Sequence, residues 1–197
     1  MVTMATLLVL LHLCGIQLMA DARPTCSLPG KLVQSAHHLL RDLGGPFPAH
    51  CLRYNSNISF PYSAFPAATA NHLQCRQTLW VVYESLQEAD LMFEDYELPV
   101  GEGGVTWDDQ KLTKFRHLQT RLQEDGDCLS SVDDSGTLSS YFSNVTAVIQ
   151  QQDSAACGWM VLRRDLTEVL RSALTLHHGC FTWTNKTTDE HFCRQLN

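Results

Sequence analysis

An all-α fold, with five amphipathic helices closing around one core, is what this sequence predicts, and three observations predict it. Apolar residues recur at three- and four-residue steps in five separate segments, the spacing that gathers them on one face of a helix. Strict apolar/polar alternation, the mark of a half-buried strand, is nowhere sustained. One long connection follows the first helix, and a short loop joins only antiparallel neighbours. The chain is therefore expected to run two helices parallel before it turns back. At 197 residues and 44% hydrophobic, it has the size and composition of one folded domain.

Residues 5–16 form an apolar run, and Ala20 and Ala22 behind it supply an A-x-A cleavage site. Residues 1–22 read as a secretory signal peptide, because the run is short for a membrane span of roughly 20 residues. The mature product, residues 23–197, is expected to be one secreted helical domain without membrane insertion, with a tail after about residue 179.

The first helix lies between residues 28 and 43, where Leu32, Val33, Ala36, Leu39, Leu40 and Leu43 share a face. Gly44, Gly45, Pro46 and Pro48 stop it, and a long loop runs to about residue 66. The second helix is expected over about residues 67–96. Its stripe of Cys75, Leu79, Val82, Leu86, Ala89 and Phe93 suits packing at small crossing angles, with Cys75 as a small buried hydrophobe. Pro99 and the glycines at 101, 103 and 104 break the chain.

A third helix opens at Thr106, with Asp109 three residues on as a variant capping box; Leu112, Phe115, Leu118 and Leu122 line its inner side. After an acidic, turn-rich stretch over residues 125–136, a fourth helix carries Leu138, Tyr141, Phe142, Val145, Val148 and Ile149. The last helix presents Trp159, Leu162, Leu166, Val169, Ala173 and Leu176, with Asp153 or Ser154 to cap its start and Gly179 to end it.

The 21 acidic against 14 basic residues, a formal net charge of -7, argue against wrapping nucleic acid, which needs a clustered basic surface. Secretion makes disulfides the default use of cysteine. Removing Cys14 with the signal peptide leaves Cys26, Cys51, Cys75, Cys128, Cys157, Cys180 and Cys193, an odd number. Asn57, Asn144 and Asn185 head N-x-[ST] sequons and are candidate glycosylation sites. No H-E-x-x-H, G-x-S-x-G or P-loop occurs, and no enzyme, cofactor or metal centre is expected; a secreted enzyme with Cys75 or a histidine pair in its site is the alternative, since the partners of a Cys-His hydrolase need not be adjacent in sequence. The pairs His37-His38 and His177-His178 point about 100° apart on a helix and read as surface histidines.

Particular residues add to the periodicity. Cys157-Gly-Trp159-Met-Val-Leu-Arg163 with Leu170-Arg171-Ser172 resembles the C-A-W-E-V-V-R…M-R-S signature of the last helix of type I interferons. Cys51-Leu52-Arg53 with Phe60-Pro61 and Phe65 is similar to that family's first-loop segment. Thr106-Trp107-Asp108-Asp109 with Lys114-Phe115 and Cys128 is similar to its W-D-E…K-F…C stretch. Cys26-Ser-Leu28-Pro29 resembles its mature start. The divergence between these elements and the extra tail look most like fish members.

The resemblance implies an up-up-down-down four-helix cytokine bundle with a fifth helix, a long first loop and disulfide staples, Cys26 to Cys128 and Cys51 to Cys157. It implies a secreted, monomeric cytokine that bridges two class II cytokine receptor chains of the interferon alpha/beta receptor type, triggering JAK-STAT signalling and antiviral gene expression. Another class II helical cytokine, an interferon lambda or interleukin-10 relative, is the alternative. The first receptor surface would carry Leu52, Arg53, Arg163 and Arg171, and the second Arg116. The arginines on the first loop and last helix are expected to form a local basic patch. Outside the family pattern, His178-Gly-Cys180 and His191-Phe-Cys193 suggest a third disulfide, Cys180 to Cys193. Zinc ligation and free or intermolecular thiols are its alternatives.

Overall fold

The computed structural model describes residues 26–55, 58–67, 72–132 and 136–183. The expected signal peptide, Asn57, Asn185 and Cys193 lie outside the described residues. The helices are α1 (Gly30–Arg41), the single turn α2 (Leu52–Asn55), α3 (His72–Asp95), α4 (Asp109–Gly126), α5 (Thr137–Ile149) and α6 (Ala155–Leu176). Among the described residues the only strand-like pairing is an isolated parallel bridge between Pro29 and Thr182.

α1, α3, α4 and α6 form the up-up-down-down bundle, α5 is the fifth helix, and α2 rides on the long first connection. α6 packs against α1, α3 and α5, while α4 packs against α1 and α3. The two central helices are buried nearly all round where they cross the core. Residues 78–83 of α3 and 157–162 of α6 are each buried without interruption, as a helix enclosed by neighbours requires. The expected stripe of α3 lies inward, with Leu79, Val82, Leu86 and Ala89 at most 2% exposed.

The ends of the helices differ from the sequence reading in three places. Asp108, not Thr106, caps α4: its side chain accepts the Lys111 amide at 3.0 Å, which satisfies one of the first-turn donors. Ser154 precedes α6, but its hydroxyl donates to Val148 O at 2.9 Å instead of capping. Gly179 does not end α6; the helix stops at Leu176 and Gly179 lies within a 3-10 turn over His178–Cys180. That turn drives the chain inward, so His177 is buried, 5% exposed, and stacks on Phe65 at 5.9 Å. His177 is therefore not the surface histidine its sequence neighbourhood suggested, whereas His38 and His178 are exposed.

Among the described residues three disulfides staple the bundle. Cys26–Cys128 and Cys51–Cys157 are the pairs the family resemblance implies. The third is Cys75–Cys180, with Cα atoms 5.0 Å apart, so the expected Cys180 to Cys193 bridge and the expected free core thiol at Cys75 are both wrong. The reason is the turn after α6, which delivers Cys180 to the beginning of α3, where Cys75 stands. The chain then continues along the start of α1. Gly30 N–H donates to Thr182 O at 2.8 Å, Thr182 N–H donates to Leu28 O at 3.0 Å, and Phe181 is buried. Residues 180–183 thus belong to the packed body of the molecule.

Candidate functional site

The connection after α1 is shaped by groups outside it. Residues 42–48 read Asp-Leu-Gly-Gly-Pro-Phe-Pro, a stretch that resists helix and whose prolines fix φ. Every carbonyl from residue 40 to residue 45 accepts a hydrogen bond from α6 or from the start of α4. Arg163 Nε donates to Leu40 O at 2.9 Å and Nη1 to Gly45 O at 2.8 Å; Nη2 donates to Arg41 O and Gly44 O, each at 2.9 Å. Lys111 Nζ donates to Asp42 O at 2.7 Å, and the Asp108 amide donates to Leu43 O at 2.8 Å. A helix C-terminus presents unpaired carbonyls and partial negative charge, and two cations here answer both.

Further on, the Cys51–Cys157 bridge pins the loop to the first turn of α6, and α2 emerges against that helix. Leu52 is 57% exposed. Arg53 is also exposed, with its guanidinium 4.8 Å from the Tyr54 ring centroid. The loop then folds back through Phe60, which is buried edge-on against Tyr141 at 5.1 Å. Tyr62 follows, its hydroxyl pKa pushed up to about 12 by burial and by Asp165 and Glu168 nearby. The F-P…F residues of the first-loop resemblance are thus the anchors that return the loop to the bundle.

On α6, Arg171 pairs with Glu168 at 2.7 Å, and Arg164 pairs with Asp165 at 2.6 Å while lying over the Phe47 ring at 5.1 Å. Asp165 is buried and also accepts the Tyr141 hydroxyl at 2.8 Å. A shallow groove of about 180 Å³ brings Arg41, Phe47, Met160, Arg163, Arg164 and Glu168 together. The arginines do gather, but Arg41, Arg164 and Arg171 each hold an adjacent acid. The face is of mixed charge, not the basic patch expected from the sequence.

Arg116 is elsewhere, on α4, 3.4 Å from Asp90 of α3 and 5.5 Å above the Phe93 ring. Asn144 is exposed on α5. The sequence reading missed Arg164, Tyr62 and Lys111; Arg164 adjoins a motif position, but nothing in its spacing foretold the contact with Phe47. No catalytic grouping emerges among the described residues: the Cys75 thiol is committed to a disulfide. The ring of His50 and the sulfurs of Cys51 and Cys157 lie within 4.8 Å of one another, but those sulfurs are likewise bonded to each other.

The motif tryptophans have a structural role. Trp107 and Trp159 meet edge to face at 6.4 Å, Phe93 stacks on Trp159 at 4.8 Å, and Trp107 Nε1 donates to Met160 Sδ at 3.4 Å. This cluster joins α3, α6 and the segment leading into α4, with Trp107 against Gly44 of the loop held by Arg163.

Comparison with known proteins agrees with this architecture. Residues 29–179 match the model of the interferon alpha/beta domain. Interferon alpha-G of Bos taurus is 27% identical over 150 residues, covering 70% of this chain and 75% of that protein. Interferon beta of Tachyglossus aculeatus aculeatus is 26% identical over 151 residues, covering 71% and 75%. The solved structure of zebrafish interferon 2 superposes with a TM-score of 0.60 at 26% identity, covering 76% of this chain and 99% of that one, which agrees with the fish-like character of the motifs. No helix among the described residues is long and apolar enough to cross a membrane. The chain belongs to the interferon alpha/beta family, whose members are cytokines and not enzymes.

Proposed function

We propose that this chain is a secreted, monomeric type I interferon that bridges two cell-surface class II cytokine receptor chains, triggering JAK-STAT signalling and antiviral gene expression. One observation supports this reading above the others: the Cys51–Cys157 bridge and the Arg163 contacts join the first loop to α6, so that exposed Leu52 and Arg53 stand on the same rigid body as Arg171. An exposed apolar side chain beside an exposed charged one has the character of an interface anchor. The second receptor chain is assigned to the α3–α4 side around Arg116. Asn57, Asn144 and Asn185 are proposed glycan sites, Asn144 standing exposed on α5.

The experiment is to titrate the purified protein against the ectodomains of interferon alpha/beta-type receptor chains and to add it to virus-challenged cells. Leu52→Ala is expected to weaken binding to the first receptor chain by about 2 kcal/mol, roughly 30-fold, with a parallel loss of protection. Glu102→Gln, on an exposed loop, is expected to leave both unchanged. Full protection by the Leu52→Ala protein would overturn the assignment of this surface.

A further inference from the structure

We propose that Arg163 is a positioning residue for receptor binding: its guanidinium fixes the path of the loop that presents Leu52 and Arg53, and it does so from inside the molecule without meeting the receptor. The inference rests on the receptor-binding reading of this surface. A guanidinium offers five N–H donor directions, and four are spent on Leu40, Arg41, Gly44 and Gly45 carbonyls of the same chain. The side chain is half-buried, and burial holds its pKa below the usual arginine value. It is turned toward the end of α1, not toward a partner.

The geometry also explains why an arginine stands here. Four carbonyls spread over the last turn of α1 and the two residues of the glycine pair need several donors fanned out from separate nitrogens, which the planar fork of arginine provides and the single nitrogen of lysine does not. Gly44 is held from the other side as well, since a Cβ there would stand 2.8 Å from Trp107 Cδ1 and 3.0 Å from Thr106 O. Gly44 is thus held between the segment that leads into α4 and Arg163 of α6. The loop has a second tether on α6 at Cys157, about 1.7 turns before Arg163, or about 9 Å along the axis at 1.5 Å per residue. α6 thus holds the loop at two points, and Leu52 and Arg53 follow directly after the second. Ordering such a loop before the encounter lowers the entropy lost on binding.

The test compares wild type with Arg163→Ala, Arg163→Lys and Lys111→Met by two measurements. One is amide hydrogen exchange over residues 42–54 in the free protein; the other is affinity for the first receptor ectodomain. Arg163→Lys keeps the charge yet is expected to behave like Arg163→Ala, with faster exchange over this segment and affinity reduced by about tenfold. Lys111→Met removes one bond on α4 and is expected to shift both readouts in the same direction by a smaller factor. Unchanged exchange in the Arg163 variants overturns the proposal, and if affinity still falls, Arg163 meets the receptor directly. Faster exchange with full affinity overturns it too, as does a Lys variant that keeps both. If wild type binds no receptor ectodomain, the receptor reading itself fails, a result the exchange data on the free protein cannot imitate.

Discussion

Gly158 occupies a position where the last-helix signature of type I interferons carries alanine, and the structure shows why alanine does not suit this chain. A Cβ there would stand 2.5 Å from Ile149 Cγ1 and 2.9 Å from the Ile149 backbone nitrogen, so the end of α5 rests directly on α6. Because backbone cannot swing aside as a side chain does, the overpacking outweighs the helix propensity gained, about 1 kcal/mol. Gly158→Ala is expected to destabilise the protein by about 1 to 2 kcal/mol net, and a urea midpoint equal to or above wild type would refute this. A second residue sets a pH dependence. Burial lowers the pKa of His177 from 6.5, and burial with the neighbouring His38 and Arg41 charges lowers that of His37. In that case the unfolded chain binds protons that the folded one refuses, so stability is full above 6.5 and falls as the pH drops through the folded pKa values. Thermal melts are expected to show a falling midpoint below pH 6.5, with a shallower fall in His177→Phe, which keeps the stack on Phe65. An unchanged slope in that variant would remove His177 from the account.

At the level of whole elements, the third disulfide is the feature most open to measurement. Cys75–Cys180 joins the beginning of α3 to the turn after α6, and the Cys51–Cys157 bridge already shortens the path between them in the unfolded chain. Chain-entropy arithmetic for a loop of roughly 50 residues gives about 4 kcal/mol. The double variant Cys75→Ser, Cys180→Ser is expected to lose stability of that order by chemical denaturation, with the helical circular dichroism of the folded state retained; a loss below about 1 kcal/mol would show that packing of Phe181 and Thr182 suffices. This bridge also marks where sequence stops being informative. Helix existence was legible because three- and four-residue apolar steps have only one geometric meaning, as the buried Leu79, Val82 and Leu86 show. The Cys26–Cys128 and Cys51–Cys157 pairs were legible only through likeness to a family. Cys75–Cys180 was not, since neither periodicity nor likeness speaks about a turn that follows the last helix, and the nearby H-x-C repeat pointed to a partner close in sequence. Arg163 fails in the same way: likeness gives its position on α6, whereas the direction of its guanidinium depends on four carbonyls more than a hundred residues away.

For the molecule as a whole, the two proposed receptor surfaces use different helices joined through one core. Leu52, Arg53 and Arg171 depend on α6 and its tethered loop, while Arg116 stands on α4 against Asp90 and Phe93 of α3. The aromatic cluster of Phe93, Trp107 and Trp159 lies between these regions. Substitutions on surfaces that share no partners combine additively, within about 0.5 kcal/mol. Arg116→Glu places a like charge beside Asp90, so it disturbs the α3–α4 side while leaving the loop, its disulfide and the Arg163 contacts intact. Its affinity for the first receptor chain is expected to stay within about 0.5 kcal/mol of wild type, whereas affinity for the second chain and protection of virus-challenged cells fall. A bridging ligand needs both ends: once one is lost, the second encounter no longer gains from the effective concentration that the first provides. The Arg116→Glu protein should therefore occupy the first receptor without signalling and compete with wild type, in proportion to its concentration, on the same cells. Equal loss of affinity for both receptor chains would show that the two surfaces are coupled through the core, and full antiviral potency would place the second surface away from Arg116.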